Sequence, residues 1–205
     1  MFQYLLQRIL LFVPTLIVVS WLAFGLSKLA PGDPVLSFLV NDPFGSISTP
    51  GDLANAENAC RQSARTLNLD KPAFYFSIVP KAFPDTLYKI PVRFRRQALH
   101  QLTAQFGDWP QIEAYYNSIR ALEMELLTLP GDVRSGSPSF KQALRDLYVL
   151  HQDGAIVNRL RDMEDVLQKD SLLAAAIAPR FSVLKNKYQA VKSEATPGLL
   201  KIPVF

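Results

Sequence analysis

From Ile9 to Ser27 the chain carries no ionisable side chain, reading ILLFVPTLIVVSWLAFGLS. Nothing else in it restricts the fold as strongly. At a helical rise of about 1.5 Å per residue, with Tyr4, Leu5 and Leu6 adding a turn, this run is long enough to cross a hydrocarbon core of about 30 Å. Composition supports the point once it is split. Arg8 and Lys28 are the charged side chains before Ala30, so 20 of the 22 basic residues and all 18 acidic residues lie beyond it. The first part suits lipid and the remainder suits water. A cleaved signal peptide would have an apolar region of roughly 7–15 residues and a small-x-small site. Lys28-Leu29-Ala30 fits that pattern poorly. The expectation is an uncleaved transmembrane helix with a short cytoplasmic lead over residues 1–30. Arg8 and the amino terminus precede the span, whereas Lys28 is followed by Asp33 and Asp42 with no further basic residue before Arg61. That bias favours a cytoplasmic N-terminus, with residues after about 30 extracytoplasmic.

Ser20, Ala23 and Ser27 recur at spacings of three and four, which puts them on one face of the span. Small residues in lipid mark where another helix approaches, so this face is the expected helix-packing surface. Pro14 removes one backbone hydrogen bond within the span and leaves a carbonyl that neighbouring helices often help satisfy.

Beyond the span, Leu29-Ala30-Pro31-Gly32-Asp33-Pro34-Val35 ends the helix. Pro31 disfavours helical geometry at Ala30, Pro-Gly suits a type II turn, and Pro34 is expected to keep the helix from resuming through Asp33. With the Arg-containing lead, the proline-bearing span and the later segment Leu67-Asn68-Leu69-Asp70-Lys71-Pro72, the first 75 residues or so resemble the inner-membrane permease subunits of bacterial ABC importers for dipeptides, oligopeptides and nickel. The turn Pro31, Gly32, Asp33, Pro34 matches that family's L-A-P-G-D-P segment. Leu69, Asp70, Lys71 and Pro72 match its L-G-L-D-K-P segment, with Asn68 in place of the usual glycine. The resemblance implies the N-terminal part of a permease for peptide-type solute import across the bacterial inner membrane. It also implies a sister permease subunit, ATPase subunits that use the ATP, an extracytoplasmic solute-binding protein, and lipid around the span. It implies five further spans, yet no second apolar run of 18 residues follows. The apolar finish Leu200-Lys201-Ile202-Pro203-Val204-Phe205 suggests a chain that continues. The alternative is a single-span anchored helical module that binds or scaffolds an envelope partner.

Residues 31–72 are thus the family-like extracytoplasmic segment, and 73–205 an enlarged helical insertion on the same side. No stretch alternates with period two, so the fold class is mainly α: one N-terminal transmembrane helix followed by a predominantly helical extracytoplasmic domain. Asp52 can cap a helix to about Leu67, another runs from Pro91 to Phe106, and Asp108 can cap one from Pro110 to Leu129. In the last, Ile112, Tyr115, Tyr116, Ile119, Leu122 and Leu126 share one face. Arg134 to Pro138 reads as a connector into a helix from Ser139 to His151. The stripe Ile156, Leu160, Met163, Leu167 and, with Pro179 as a break, the stripe Ile177, Phe181, Leu184, Tyr188, Val191 suit an antiparallel hairpin joined around Asp170-Ser171.

Several chemistries have no residues to carry them. One cysteine, Cys60, cannot form an intrachain disulfide, and His100 and His151 lack a partner at metal-binding spacing. No G-x-x-x-x-G-K-[ST] occurs, so no cofactor is expected in this chain and no catalytic or metal-binding residue is assigned. A formal charge of +4 spread along the sequence argues against nucleic acid. Lys89, Arg93, Arg95 and Arg96 read as a solvated helix start, and Glu123, Glu125, Asp162, Glu164 and Asp165 as outward-facing surface charges.

Overall fold

The structure is a computed structural model that describes residues 2–29, 33–39, 44, 47–71, 83–84, 86–130 and 138–193. Among the described residues there are eight α-helices, one 3-10 turn and no strand. The chain divides into two compact units, Met1–Asp33 and Pro34–Phe205.

The first unit is a single helix, α1 (Phe2–Leu29). Pro14 lies inside it without ending it. The Thr15 hydroxyl donates to the carbonyl oxygens of Phe12 and Leu11 at 2.8 and 3.1 Å, binding that turn beside the missing N–H. Every described side chain from Leu10 to Leu26 is exposed apart from the half-buried Gly25, and the large apolar ones range from 44% at Phe24 to 74% at Trp21. Among the described residues no helix is long and apolar enough to cross a membrane. The unbroken run of described side chains in α1 is Leu10 to Leu26, shorter at both ends than the uncharged run in the sequence.

The second unit opens with a short helix, α2 (Pro34–Phe38). Pro34 therefore starts a helix, at a first-turn position where its absent N–H costs nothing. α3 (Pro50–Thr66) is held by a capping box: Thr49 accepts from the Asp52 N–H, and the Asp52 carboxylate accepts from Thr49 and Ser48. Thr49, not Asp52, is the cap residue, and Asp52 is its reciprocal partner three residues on. These N–H donors, Ser48 foremost, hold the Asp52 carboxyl below its usual range. At the other end the Leu69 N–H reaches the Ala64 carbonyl and the Asn68 N–H that of Arg65, with Asn68 at φ 52°. That paired pattern requires a left-handed residue, which only glycine and asparagine supply cheaply.

A 3-10 turn (Leu87–Lys89) leads to α4 (Arg93–Phe106), ended by Gly107 at φ 75°. The remaining helices are α5 (Trp109–Thr128), α6 (Pro138–Leu147), α7 (Asp153–Lys169) and α8 (Ser171–Ser193). α6 is shorter than the sequence suggests, with turns from Tyr148. Asp108 occupies the cap position of α5 without a side-chain capping bond. The expected connector at 134–137 lies outside the described residues.

α8 packs most extensively on α5, and α7 bridges α6 and α8. Ion pairs give the directions. Lys185 meets Glu164 at 2.9 Å while Lys192 meets Asp153 at 3.1 Å, so α7 and α8 run antiparallel, as the two stripes suggested. Arg180 meets Glu125 at 2.7 Å while the Tyr188 ring lies against Tyr115, so α5 and α8 also oppose. The stripe residues named above are buried in one core, except the half-buried Tyr116. Pro179 does not break α8, which runs through it. Leu173, Ile177, Phe181 and Leu184 carry the buried face across that position, while Pro179 and Ala175, whose carbonyl loses its bond, are exposed to water. The Asp170 carboxylate accepts from the Leu173 N–H at 3.0 Å and starts α8 directly after α7.

Candidate functional site

The residues singled out from the sequence do not converge. Ser20 and Ala23 are exposed on α1; Ser27 belongs to the same helix, with its side chain outside the described set. Of the turn, Asp33 is half-buried, Pro34 begins α2, and Pro31 and Gly32 lie outside the described residues. Leu69 packs beside the Val35, Cys60, Ala64 and Val92 cluster. Asp70 is half-buried, with its Oδ1 buried and lacking a hydrogen-bond partner. Lys71 donates to the Asn68 side chain at 2.8 Å, and Pro72 lies outside the described residues. Among the described residues no group of three or more His, Cys, Asp or Glu is placed to hold a metal ion.

What the fold does assemble is a pair of cavities in the second unit. The first, of about 350 Å³, lies between α3, the 3-10 turn and the starts of α4 and α5. Cys60, Arg61, Lys89, Arg95, Trp109 and Tyr116 are among its walls. The second, of about 450 Å³, is lined by Leu36, Ile47, Phe94, Glu123, Arg145 and Tyr148 among others. Phe44 and Arg95 line both. The Arg95 guanidinium carbon lies 4.5 Å from the Phe44 ring centroid and 4.2 Å from that of Tyr148, within cation–π range of each. Tyr148 packs edge-on against Tyr116, with centroids 5.1 Å apart, and its hydroxyl donates to Glu123 at 2.7 Å.

Two expectations are corrected here. Glu123 is 7% exposed, a buried carboxylate facing Tyr148 across the α5–α6 contact, and not a surface charge. Its position was readable, because Tyr116, Ile119, Glu123 and Leu126 step by three, four and three along one stripe. Arg95 likewise is half-buried among rings and is only partly open to solvent. Nothing in its local sequence signals this, since Phe44 and Tyr148 come from distant segments. The other acids behave as expected: Asp162 and Asp165 are exposed, Glu164 pairs with Lys185, and Glu125 with Arg180. His100 stacks on Phe83, with centroids 4.6 Å apart.

The electrostatics follow burial. Desolvation pushes the Tyr116 phenol up to about 12, opposed by the Arg95 charge. Desolvation first, and the Glu123 carboxylate second, raise Tyr148 well above the ordinary tyrosine range. Both phenols are therefore neutral at physiological pH, and the Tyr148 hydroxyl stays a donor to Glu123. Arg120 of α5 reaches Glu57 of α3 at 2.6 Å and closes one side of the first cavity.

Comparison with protein families, with curated proteins and with solved structures finds no match to this chain.

Proposed function

We propose that this chain is a membrane-anchored component of a peptide-type ABC importer, the N-terminal part of its permease, with α1 as the first span and the helical unit on the extracytoplasmic side. The observation that carries the membrane part is α1 itself. Seventeen consecutive described residues, Leu10 to Leu26, include twelve large apolar side chains, all exposed. Water does not tolerate a helix apolar on every face, and a bilayer does. The importer part rests on the Pro31-to-Pro34 turn and the Leu69-to-Pro72 segment. The left-handed Asn68 supports it, because glycine, the residue usual at that place in the resembled segment, adopts the same conformation without strain. In this reading Ser20, Ala23 and Ser27 pack on helices of the sister permease subunit. The ATPase subunits and the solute-binding protein are the remaining partners.

The alternative, an anchored module that binds an envelope partner and transports nothing, is favoured by the cavities of the helical unit, whose described walls belong to that unit. One experiment separates the readings. Membranes carrying the chain are washed with alkaline carbonate, then solubilised, and the captured complex is analysed for a subunit bearing a phosphate-binding G-x-x-x-x-G-K-[ST] motif. Retention with such an ATPase supports the importer component, and retention without it supports the anchored module. Release by carbonate overturns the span. Topology is read from the exposed Asn58: Asn58→Cys in a Cys60→Ala background should react with an impermeant maleimide from outside the inner membrane.

A further inference from the structure

Arg95 is the one side chain of its basic cluster that lines both cavities. Two rings attract its charge without using the N–H fork, and the Tyr116 hydroxyl engages only part of it. Among the described residues no carboxylate pairs with it, and the nearby Glu123 is held by Tyr148. A half-buried guanidinium fixed by aromatic contacts, with donors to spare, is prepared for two oxygens of a carboxylate or a phosphate. The first cavity adds Arg61 and Lys89, exposed at its wall and without ion-pair partners among the described residues. Arg120 is already paired with Glu57, which leaves Glu113 as the opposing carboxylate. The local balance is therefore positive. Ile90, Leu99, Trp109 and Tyr116 supply an apolar wall, and the volume of about 350 Å³ suits a small molecule and not a protein segment.

We propose that this cavity is a binding site for a small organic anion, a carboxylate or phosphate carried on an apolar body. Arg95 grips the oxyanion, Arg61 and Lys89 add attraction at the wall, and the body lies on Trp109 and Tyr116. The site stands on the helical unit alone and does not depend on the membrane reading.

Trp109 reports occupancy. The chain has two tryptophans, so Trp21→Phe leaves Trp109 as the single fluorophore. The full chain, reconstituted in lipid nanodiscs, is titrated with 4-phenylbutyrate, its neutral amide, phenyl phosphate and inorganic phosphate. A saturable change with an anion, and binding of the amide weaker by about tenfold or more, is the expected result. Tighter binding of phenyl phosphate assigns a phosphate ligand, tighter binding of 4-phenylbutyrate a carboxylate, and inorganic phosphate measures what the apolar wall adds. Arg95→Lys keeps the charge but loses the fork and should weaken binding by about tenfold. The exposed pair Arg61→Gln with Lys89→Gln should weaken it several-fold and flatten its salt dependence. Should Arg95→Lys lose its cooperative melt, the exposed pair decides. The proposal is overturned if the amide binds as well as the acid, if neither variant moves anion affinity, or if no anion saturates by about 10 mM.

Discussion

α1 and α8 are both long helices with an interior proline, and they meet their surroundings in opposite ways. α1 spans 28 residues and α8 spans 23, and neither is broken by Pro14 or Pro179. In α8 the apolar residues form one stripe, buried from Leu173 to Val191, while Leu172 and Val183 on other faces are exposed. In α1 the apolar residues cover every face, and none of the large described ones is buried. Helix formation was therefore the same problem for both, and the arrangement of apolar side chains set the surroundings each requires. A stripe is satisfied by neighbouring helices, whereas an all-round apolar surface needs a solvent of its own kind.

The comparison is broken most decisively in α1. Leu16→Asp with Val19→Asp puts two carboxylates near the middle of the uncharged run, each unfavourable by about 2.5–3.5 kcal/mol in a bilayer centre. The double variant should leave the carbonate-resistant membrane fraction while the helical unit keeps its cooperative melt. Equal partitioning of both proteins would mean that lipid does not cover α1.

On the other side of the comparison, Phe140 is fully buried and packs towards Phe181 of α8, with ring centroids 6.3 Å apart. Phe140→Ala should lose about 3–5 kcal/mol in denaturant unfolding. Leu172→Ala, at an exposed position on α8, should stay within about 0.5 kcal/mol. Similar losses at the two sites would show that the stripe does not govern packing.

Tyr148→Phe removes the donor to the buried Glu123 and should cost about 1–3 kcal/mol, recovered in part by adding Glu123→Gln. Tyr148 and its neighbour Tyr116 give a pH test. Tyr116 and Tyr148 titrate above their ordinary value of 10 in the folded chain. The unfolded chain thus loses those protons first, so their contribution is intact below about pH 10 and declines as pH rises towards the folded values. Tyr148→Phe should flatten that alkaline decline. At the acid end the sign reverses. Asp153 is held low, chiefly by the Tyr188 hydroxyl and also by Lys192, so its contribution is present at neutral pH and disappears as pH falls below the ordinary carboxylate range. Asp153→Asn should make the acid-side slope shallower, Asp52 supplying part of what is left.

The smallest effect is expected at the end of α3. Asn68→Gly should change stability by only a few tenths of a kcal/mol, whereas Asn68→Val should cost about 1–2 kcal/mol for a β-branched residue in the left-handed region. An unaffected valine variant would mean that the turn relaxes and the asparagine is not required.

Most helices were legible because their evidence is local: 3.6-residue stripes, caps and stop residues can all be read within one turn or two. The α7–α8 hairpin and the buried face of α5 follow from spacing alone. Pro179 was misleading because its sequence effect is local, whereas the packing that carries α8 through it comes from α5. Asp52 was assigned the wrong half of a two-residue cap, since either member alone fits the pattern.

What the sequence determined by itself is the uncharged apolar run of α1, the helical class and the faces that must be buried, because these depend on composition and period along one segment. What only the tertiary structure decided is the cavity pair and its chemistry. Phe44, Arg95, Tyr148 and the α5 pair Tyr116 and Glu123 lie on four separate stretches of chain. A guanidinium's partners, a carboxylate's hydrogen bond and a phenol's proton affinity are properties of neighbours brought together by packing, and no single stretch of residues encodes them.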